Sequence, residues 1–512
     1  MFDIFAIFSY LKKQFSKRDW LIIVGLVALY FVFRLTNLEK WPIFSDEGIY
    51  IRWAKVAWQD ASWRFISVTD GRQPLQTWGT IPFLKIFSPN DLLAGRMFSV
   101  TTGFVALAGM FSLLFYLWGK KAAYIGSLLF IFSPYMLFYD RMALVDSAVN
   151  AGFIWILFLS IILVRERRLD IALILGFVGG IALLAKSSSR MFLGLAASAP
   201  LLYLVKKDSK FIKNSLNYIL LLGIAVAISL LFYNIQRLSP FFHYVELKNT
   251  TFVMTFSEFL ATPFAYIKHN AYLIPLYVIW ESGFLILVPS ILGIYFLSKK
   301  DKFLALYILI FLVIPWISIG FFAKILFGRY VLFMGSVLII FAAYYFYNLK
   351  GKKLKLLLGG LLFSMTVLNY PLLFDPEKAS FPPVDRGQYV EGLTAVWGAQ
   401  DLMKIVKEYS LDKPTLVLAE GDFGLVADVL KVFEQDDDNI EIKGLWPLSE
   451  SHLYEYQSQL GEKNVLVVFS HRQEFPENWP IDLISKYGKP NSNQYLFLYR
   501  LIPPPIARDN SL

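Results

Sequence analysis

The chain has 512 residues, 56% hydrophobic and 17% charged, and its 49 Lys and Arg against 39 Asp and Glu give a net charge of +10. Soluble domains carry roughly 25% charged residues, so this balance excludes an ordinary water-soluble globule. The absence of cysteine removes disulfides, thiolate metal sites and cysteine nucleophiles.

In chain order, the first segment sets Phe2, Phe5, Phe8 and Phe15 against Lys12, Lys13 and Lys17, the pattern of an amphipathic surface helix over residues 1–19. The apolar stretch after it continues into Arg34, Leu38 and Trp41 without a small-residue cleavage motif, so it is expected to stay as an anchor. About eleven stretches have the roughly 17–25 residues of a membrane crossing. They lie near 20–36, 92–118, 121–138, 143–164, 169–185, 190–205, 214–234, 271–297, 303–322, 330–348 and 354–372.

Basic clusters occupy every second connection. They are Lys12 to Arg18; Lys120 and Lys121; Arg165, Arg167 and Arg168; Lys206, Lys207, Lys210 and Lys213; Lys299, Lys300 and Lys302; and Lys350, Lys352, Lys353 and Lys355. The positive-inside rule places these loops in the cytoplasm. A multi-pass plasma-membrane protein with a cytoplasmic N-terminus and an extracytoplasmic C-terminal segment is expected. Charges spent on topology leave no basic face for nucleic acid.

The remaining connections carry ionisable residues to the opposite surface. A first outer loop, about 37–91, holds Asp46, Glu47, Arg52, Arg64 and Arg72. The turn FYDRMALVD supplies Asp140, Arg141 and Asp146, and KSSSR supplies Lys186 and Arg190. A second loop, about 235–270, holds His243, Glu246, Glu258 and His269; FAKILFGRY supplies Lys324, Arg329 and Tyr330. Five loops therefore converge there.

Ser45 or Asp46 is placed to cap an interfacial helix over about 47–59, with Ile49, Trp53, Val56 and Ala57 on its apolar face. Lys186 and Arg190 run against the positive-inside trend, and an anionic headgroup is the simplest reason. Glu281 falls within the stretch 271–297, where a carboxylate is a functional candidate with an unknown partner. None of the four histidines neighbours the acidic turns in sequence. An all-oxygen pair from Asp46 and Asp140 would suit Mg²⁺ or Mn²⁺, and no other metal site is indicated.

From about 373 to 512 the composition changes. Pro371, Pro376, Pro382 and Pro383 mark a linker. Helices are expected near 398–409, 424–434 and 451–460, and strands at PTLVLAE, IEIKG, NVLVVFS and YLFLYRL. The alternation predicts a small α/β domain with a partly parallel sheet. GDFG at 421–424 reads as a βα turn. No internal repeat supports an inverted-repeat transporter.

SDEGIY after the first span, GRQPLQTW in the first loop, AGRMFSV opening the second span, FYDRMALVD, the outer Lys186 and GRYVLFM together carry a family resemblance. The chain resembles the GT-C-type membrane glycosyltransferases of the family 39 class, which includes protein O-mannosyltransferases and lipid A aminoarabinose transferases. It departs from them at Gln73-Pro74-Leu75, where a Pro-Pro-Leu is usual.

The resemblance implies a polytopic α-helical catalytic domain over about 20–372, followed by an extracytoplasmic α/β domain. It implies an inverting transfer of a sugar from a polyprenyl-phosphate lipid to a protein, lipid or glycan acceptor. Asp46 would be the base, with Glu47 and Asp140 orienting acceptor or sugar. Lys186, Arg190, Arg329 and Tyr330 would face the donor phosphate, and Asp146, Arg72 and Glu281 the substrates. The competing readings are a lipid-linked glycan flippase, a ligase or polymerase using a diphosphate donor, and a non-catalytic receptor.

Overall fold

The structure is a computed structural model and describes residues 14–206, 210–435 and 438–503. Most of the expected amphipathic N-terminal segment, residues 1–13, lies outside the described residues. Its last aromatic, Phe15, is buried against Trp20, Phe111 and Phe115. Helix Lys17–Leu35 then starts at a capping box in which Ser16 and Asp19 bond reciprocally.

This is a multi-pass membrane protein. Six helices among the described residues are long and apolar enough to cross a membrane: Asp91–Trp118, Asp146–Glu166, Phe211–Leu238, Lys302–Phe322, Gly328–Asn348 and Gly351–Phe374. A further pair, Ile267–Glu281 and Phe284–Lys300, passes the test together but is bent by 101° at its break. By length and composition six or seven spans are thus defined among the described residues, with Leu169–Ala185 a shorter apolar helix, and the expected count of about eleven is not confirmed.

The differences have local causes. The stretch 121–138 divides into Lys120–Phe132 and Pro134–Tyr139, because Pro134 lacks an N–H and holds Ser133 extended. The stretch 190–205 is a short helix, Arg190–Ala196, followed by 3₁₀ turns. The stretch 271–297 breaks at Gly283, whose φ of +82° lies in the left-handed region that favours glycine. Two of the crossing helices, Asp146–Glu166 and Gly328–Asn348, are buried over most of their length and form the centre of the bundle.

At the loop end of the bundle, β1 (Ile43–Phe44) leads into helix Ser45–Gln59. The chain leaving the last membrane helix returns across this point. Its β2 (Ala395–Val396) pairs antiparallel with β1, and Ser45 N–H donates to Thr394 O at 2.9 Å.

The C-terminal unit is a five-stranded sheet of β3 (Thr415–Glu420), β4 (Ile440–Leu445), β5 (Asn464–Phe469), β6 (Ile481–Gly488) and β7 (Tyr495–Leu501), in the order β4-β3-β5-β7-β6. β3 runs parallel to β4 and β5, while β7 is antiparallel to β5 and β6. The partly parallel sheet is as expected, and its central strand β3 is buried throughout, as a strand covered on both faces must be. β6 was not expected: IDLISKYG is a half-exposed edge strand without apolar alternation. The helix expected over 424–434 is only Val426–Leu430.

Candidate active site

Helix Ser45–Gln59 opens without a side-chain cap from Ser45 or Asp46. Instead Phe44 N–H donates to Glu47 Oε2 at 3.0 Å, the return half of a capping box. Asp46, in the first turn, is left to reach outward. Its Oδ1 accepts from Arg72 Nη2 at 3.1 Å and its Oδ2 from Arg329 Nη2 at 3.0 Å. The side chain is 21% exposed.

Each arginine is itself held. Arg72 bonds Asp70 through Nε at 2.9 Å and lies over the Tyr50 ring at 5.3 Å. Asp70 in turn takes Lys248 at 2.7 Å. Arg329 Nη1 donates to Gln388 Oε1 at 3.1 Å and to the Tyr389 hydroxyl at 3.0 Å. Burial pushes the Asp46 carboxyl up, but Arg72, Arg329 and Lys248 together hold it below the ordinary carboxylate value. Burial pushes the adjacent Tyr50 hydroxyl up to about 12.

Glu47 has no free oxygen. Arg96 grips it bidentately, Nε to Oε1 at 2.9 Å and Nη2 to Oε2 at 2.8 Å, and both side chains are fully buried. Ala143 N–H adds a bond of 2.7 Å to Oε1. Arg96 also donates to the carbonyls of Leu38, Trp41 and Pro42. Asp140 is equally enclosed. Arg34 Nη2 lies 3.0 Å from its Oδ2, and Ser147 Oγ 2.7 Å from its Oδ1. Arg141 donates to the carbonyls of Thr36, Asn37 and Leu372. These charges fasten the first loop and the last helix to the bundle.

Lys186 and Asp146 approach to 3.5 Å, and Lys186 Nζ sits 3.7 Å from the centre of the Tyr330 ring. Arg190 is exposed and stacks over Tyr233 at 4.3 Å, with no carboxylate partner among the described residues. Helix His243–Phe252 of the second long loop joins these turns. Lys248 reaches Asp70, and Asn249 Oδ1 accepts from Ser187 Oγ at 3.0 Å. Lys324 reaches Thr250 O and Glu258, both at 2.8 Å.

Glu281 ends its helix at the 101° break, only 4% exposed, with its carboxyl beside that of Asp385. Asp46 and Asp140 are each taken by arginines of their own, and no group of three or more His, Asp or Glu positioned to hold a metal is found among the described residues.

Sequence reasoning missed Arg34, Arg96, Asp385, Gln388 and Tyr389. Arg34 and Arg96 carried a signal, since an arginine within an apolar helix demands a partner. The other three sit in the connector after the last membrane helix and carried none.

Residues 72–233 match the family model described as dolichyl-phosphate-mannose-protein mannosyltransferase, less than half of the chain. ArnT from Cupriavidus metallidurans in the apo state superposes with a TM-score of 0.60 at 13% identity, covering 94% of this chain and 97% of that one. The same protein bound to undecaprenyl phosphate gives 0.59 at 13% identity, covering 94% and 98%. The Archaeoglobus fulgidus oligosaccharyltransferase, tethered to an acceptor peptide containing an NVT sequon, gives 0.52 at 12% identity, covering 90% and 70%. No curated protein sequence matches the chain. The resemblance read from the sequence holds: the chain has the GT-C fold of the protein O-mannosyltransferase and ArnT type.

Proposed function

We propose that this protein is a membrane glycosyltransferase that moves a sugar from a polyprenyl-phosphate lipid to an acceptor hydroxyl at the extracytoplasmic surface, with inversion. The observation that carries the proposal is Asp46: an ionised, one-fifth-exposed carboxylate set between two arginines, in a site built from several outer loops. The undecaprenyl phosphate in the ArnT complex and the acceptor peptide on the oligosaccharyltransferase support a lipid carrier and a separate acceptor.

In this reading the acceptor O–H donates to Asp46. Its oxygen attacks the anomeric carbon as the bond from that carbon to the phosphate oxygen breaks on the opposite face. The proton passes to Asp46 and the electron pair leaves with the phosphate. Polyprenyl phosphate departs without protonation, so the weak base that a lowered carboxyl provides is sufficient. Lys186, Arg190 and Arg329 stabilise the charge that gathers on the leaving phosphate, and Tyr330 holds Lys186 under it. Arg72 and Asp146 border the same space. Glu47 and Asp140 hold the loops that carry the site. The basic clusters on alternate connections support a cytoplasmic N-terminus.

The test is transfer from radiolabelled polyprenyl-phosphate sugars by the purified protein in lipid, with membrane extract as the source of acceptor. Asp46→Asn is expected to lower transfer by about 10²–10⁴-fold, the range of a lost general base. Undiminished transfer by that variant removes Asp46 from the chemistry, and transfer only from diphosphate-linked sugars replaces the donor class.

A further inference from the structure

Glu281 and Asp385 form a buried acid pair outside the proposed transfer step. Their side chains are 4% and 0% exposed, and among the described residues none of their four carboxyl oxygens makes a hydrogen bond of regular geometry. Asp385 lies in the short helix Pro383–Arg386. Gly328 shows how close the two come: a Cβ there would sit 2.3 Å from Asp385 Oδ2 and 2.3 Å from Glu281 Oε1, so these oxygens are no more than twice that apart. Neither carboxylate forms an ion pair among the described residues. The neighbouring hydroxyls of Tyr139 and Tyr277 are also buried and make no hydrogen bond of regular geometry among the described residues, and Tyr135 and Tyr389 complete an aromatic surround.

An isolated ionised carboxylate out of water costs several kcal/mol, and two at this separation repel as well. Burial accordingly pushes the Asp385 carboxyl up. One proton between the two acids removes the repulsion and supplies each with a hydrogen-bond partner, leaving a single negative charge. That charge has a definite neighbour. Arg329 follows Gly328 in the chain, its field reaches Asp385, and its Nη1 is bonded to the hydroxyl of Tyr389 at 3.0 Å. Both carboxyl groups close on the backbone that launches the guanidinium toward Asp46.

We propose that Glu281 and Asp385 share one proton and act as a single positioning group for Arg329, holding its guanidinium where it meets Asp46 and the donor phosphate. The role given to the phosphate rests on the proposed function; the shared proton does not.

Two measurements test this. The first is infrared absorption of the purified full-length protein in lipid at neutral pH. A protonated carboxyl C=O band is expected in the parent, and its loss in both Glu281→Gln and Asp385→Asn, since the remaining acid then ionises against the amide. A band that survives Asp385→Asn, or no band difference at all, overturns the shared proton.

The second is affinity for undecaprenyl phosphate in lipid nanodiscs, for variants whose melting shows that they fold. Each single amide keeps one negative charge and one hydrogen bond, whereas the double variant loses the charge. The double variant is expected to bind about tenfold more weakly than either single one, the scale of removing one nearby charge in a partly screened site. Single variants as weak as the double, or a double variant that binds like the parent, overturn the positioning role. If the parent itself does not bind undecaprenyl phosphate, the donor assignment falls, and the infrared result still decides the pair.

Discussion

Asp46 and Glu47 are adjacent carboxylates with opposite situations. Successive helical residues point about 100° apart, so one faces the open site while the other turns into the bundle. Glu47 with Arg96 is a saturated, fully buried ion pair. Breaking such a pair leaves an uncompensated charge and costs about 3–5 kcal/mol. Arg96→Met is therefore expected to lower the melting temperature sharply, whereas Asp46→Asn, at a partly exposed carboxylate, is expected to lower the proposed transfer with a smaller loss of melting temperature. Thermal melting in detergent separates the two. Asp46 also sets a pH dependence. Its folded carboxyl lies below the unfolded value near 3.8, so its ion pairs contribute fully above that value and are lost as pH falls through the lower folded one. The acid limb of the pH–rate profile is expected below the ordinary carboxylate range. Arg72→Gln, which removes one of the cations holding it down, is expected to move that limb upward.

Helix Ser45–Gln59 shows how an element acquires its setting. Its apolar residues by themselves predict a helix lying on the membrane interface. In the structure Ile49, Ile51, Trp53 and Ala54 are all buried, on more than one face, because the C-terminal unit covers what the bundle does not. Gly48 lies against Val429, where a Cβ would approach to 3.0 Å. Arg52 pairs with Asp428 at 2.6 Å, and Lys55 with Asp91 at 2.8 Å. The helix was legible from its own sequence; its second contact surface was not, because the covering residues lie more than 370 positions away. The turn at Gly328 gives the sharpest test at this scale. Gly328→Ala would push a methyl into both Glu281 and Asp385, and overpacking of this kind costs about 1–3 kcal/mol. A lower melting temperature together with weaker donor binding is expected. Unchanged behaviour in both assays would show that the turn is not tightly packed.

Across the whole molecule the membrane region and the C-terminal sheet share a core. Ile43, Ile51, Leu92 and Ala143 cluster with Val417, Ala419, Val429 and Leu430. A chain ended before Ala399 would expose that surface, and we expect it to aggregate in size-exclusion chromatography where the full chain is monodisperse. Lys489, only 5% exposed, reports on the same junction through its bond to Gly392 O at 3.0 Å. Burial lowers its ammonium to about 8 from 10.5. Between those values the unfolded chain binds more protons than the folded one, so this residue's contribution to stability rises with pH across that window. Melting of Lys489→Met against pH is expected to lack the rise seen in the parent.

Hydropathy, basic-cluster periodicity and turn composition established by themselves that the chain is a polytopic membrane protein with an α/β segment at its end. They also singled out the loops that bring charge to one surface. These are local properties: the lengths of apolar runs and the residues between them. What each charge holds was decided only by tertiary structure. Asp46 is open and Glu47 closed because Arg96 and Arg329 come from distant helices. Glu281 found its partner in Asp385, a residue of the connector with no sequence signal of its own. A buried charge is defined by what surrounds it, and here those surroundings are assembled from segments up to several hundred residues apart.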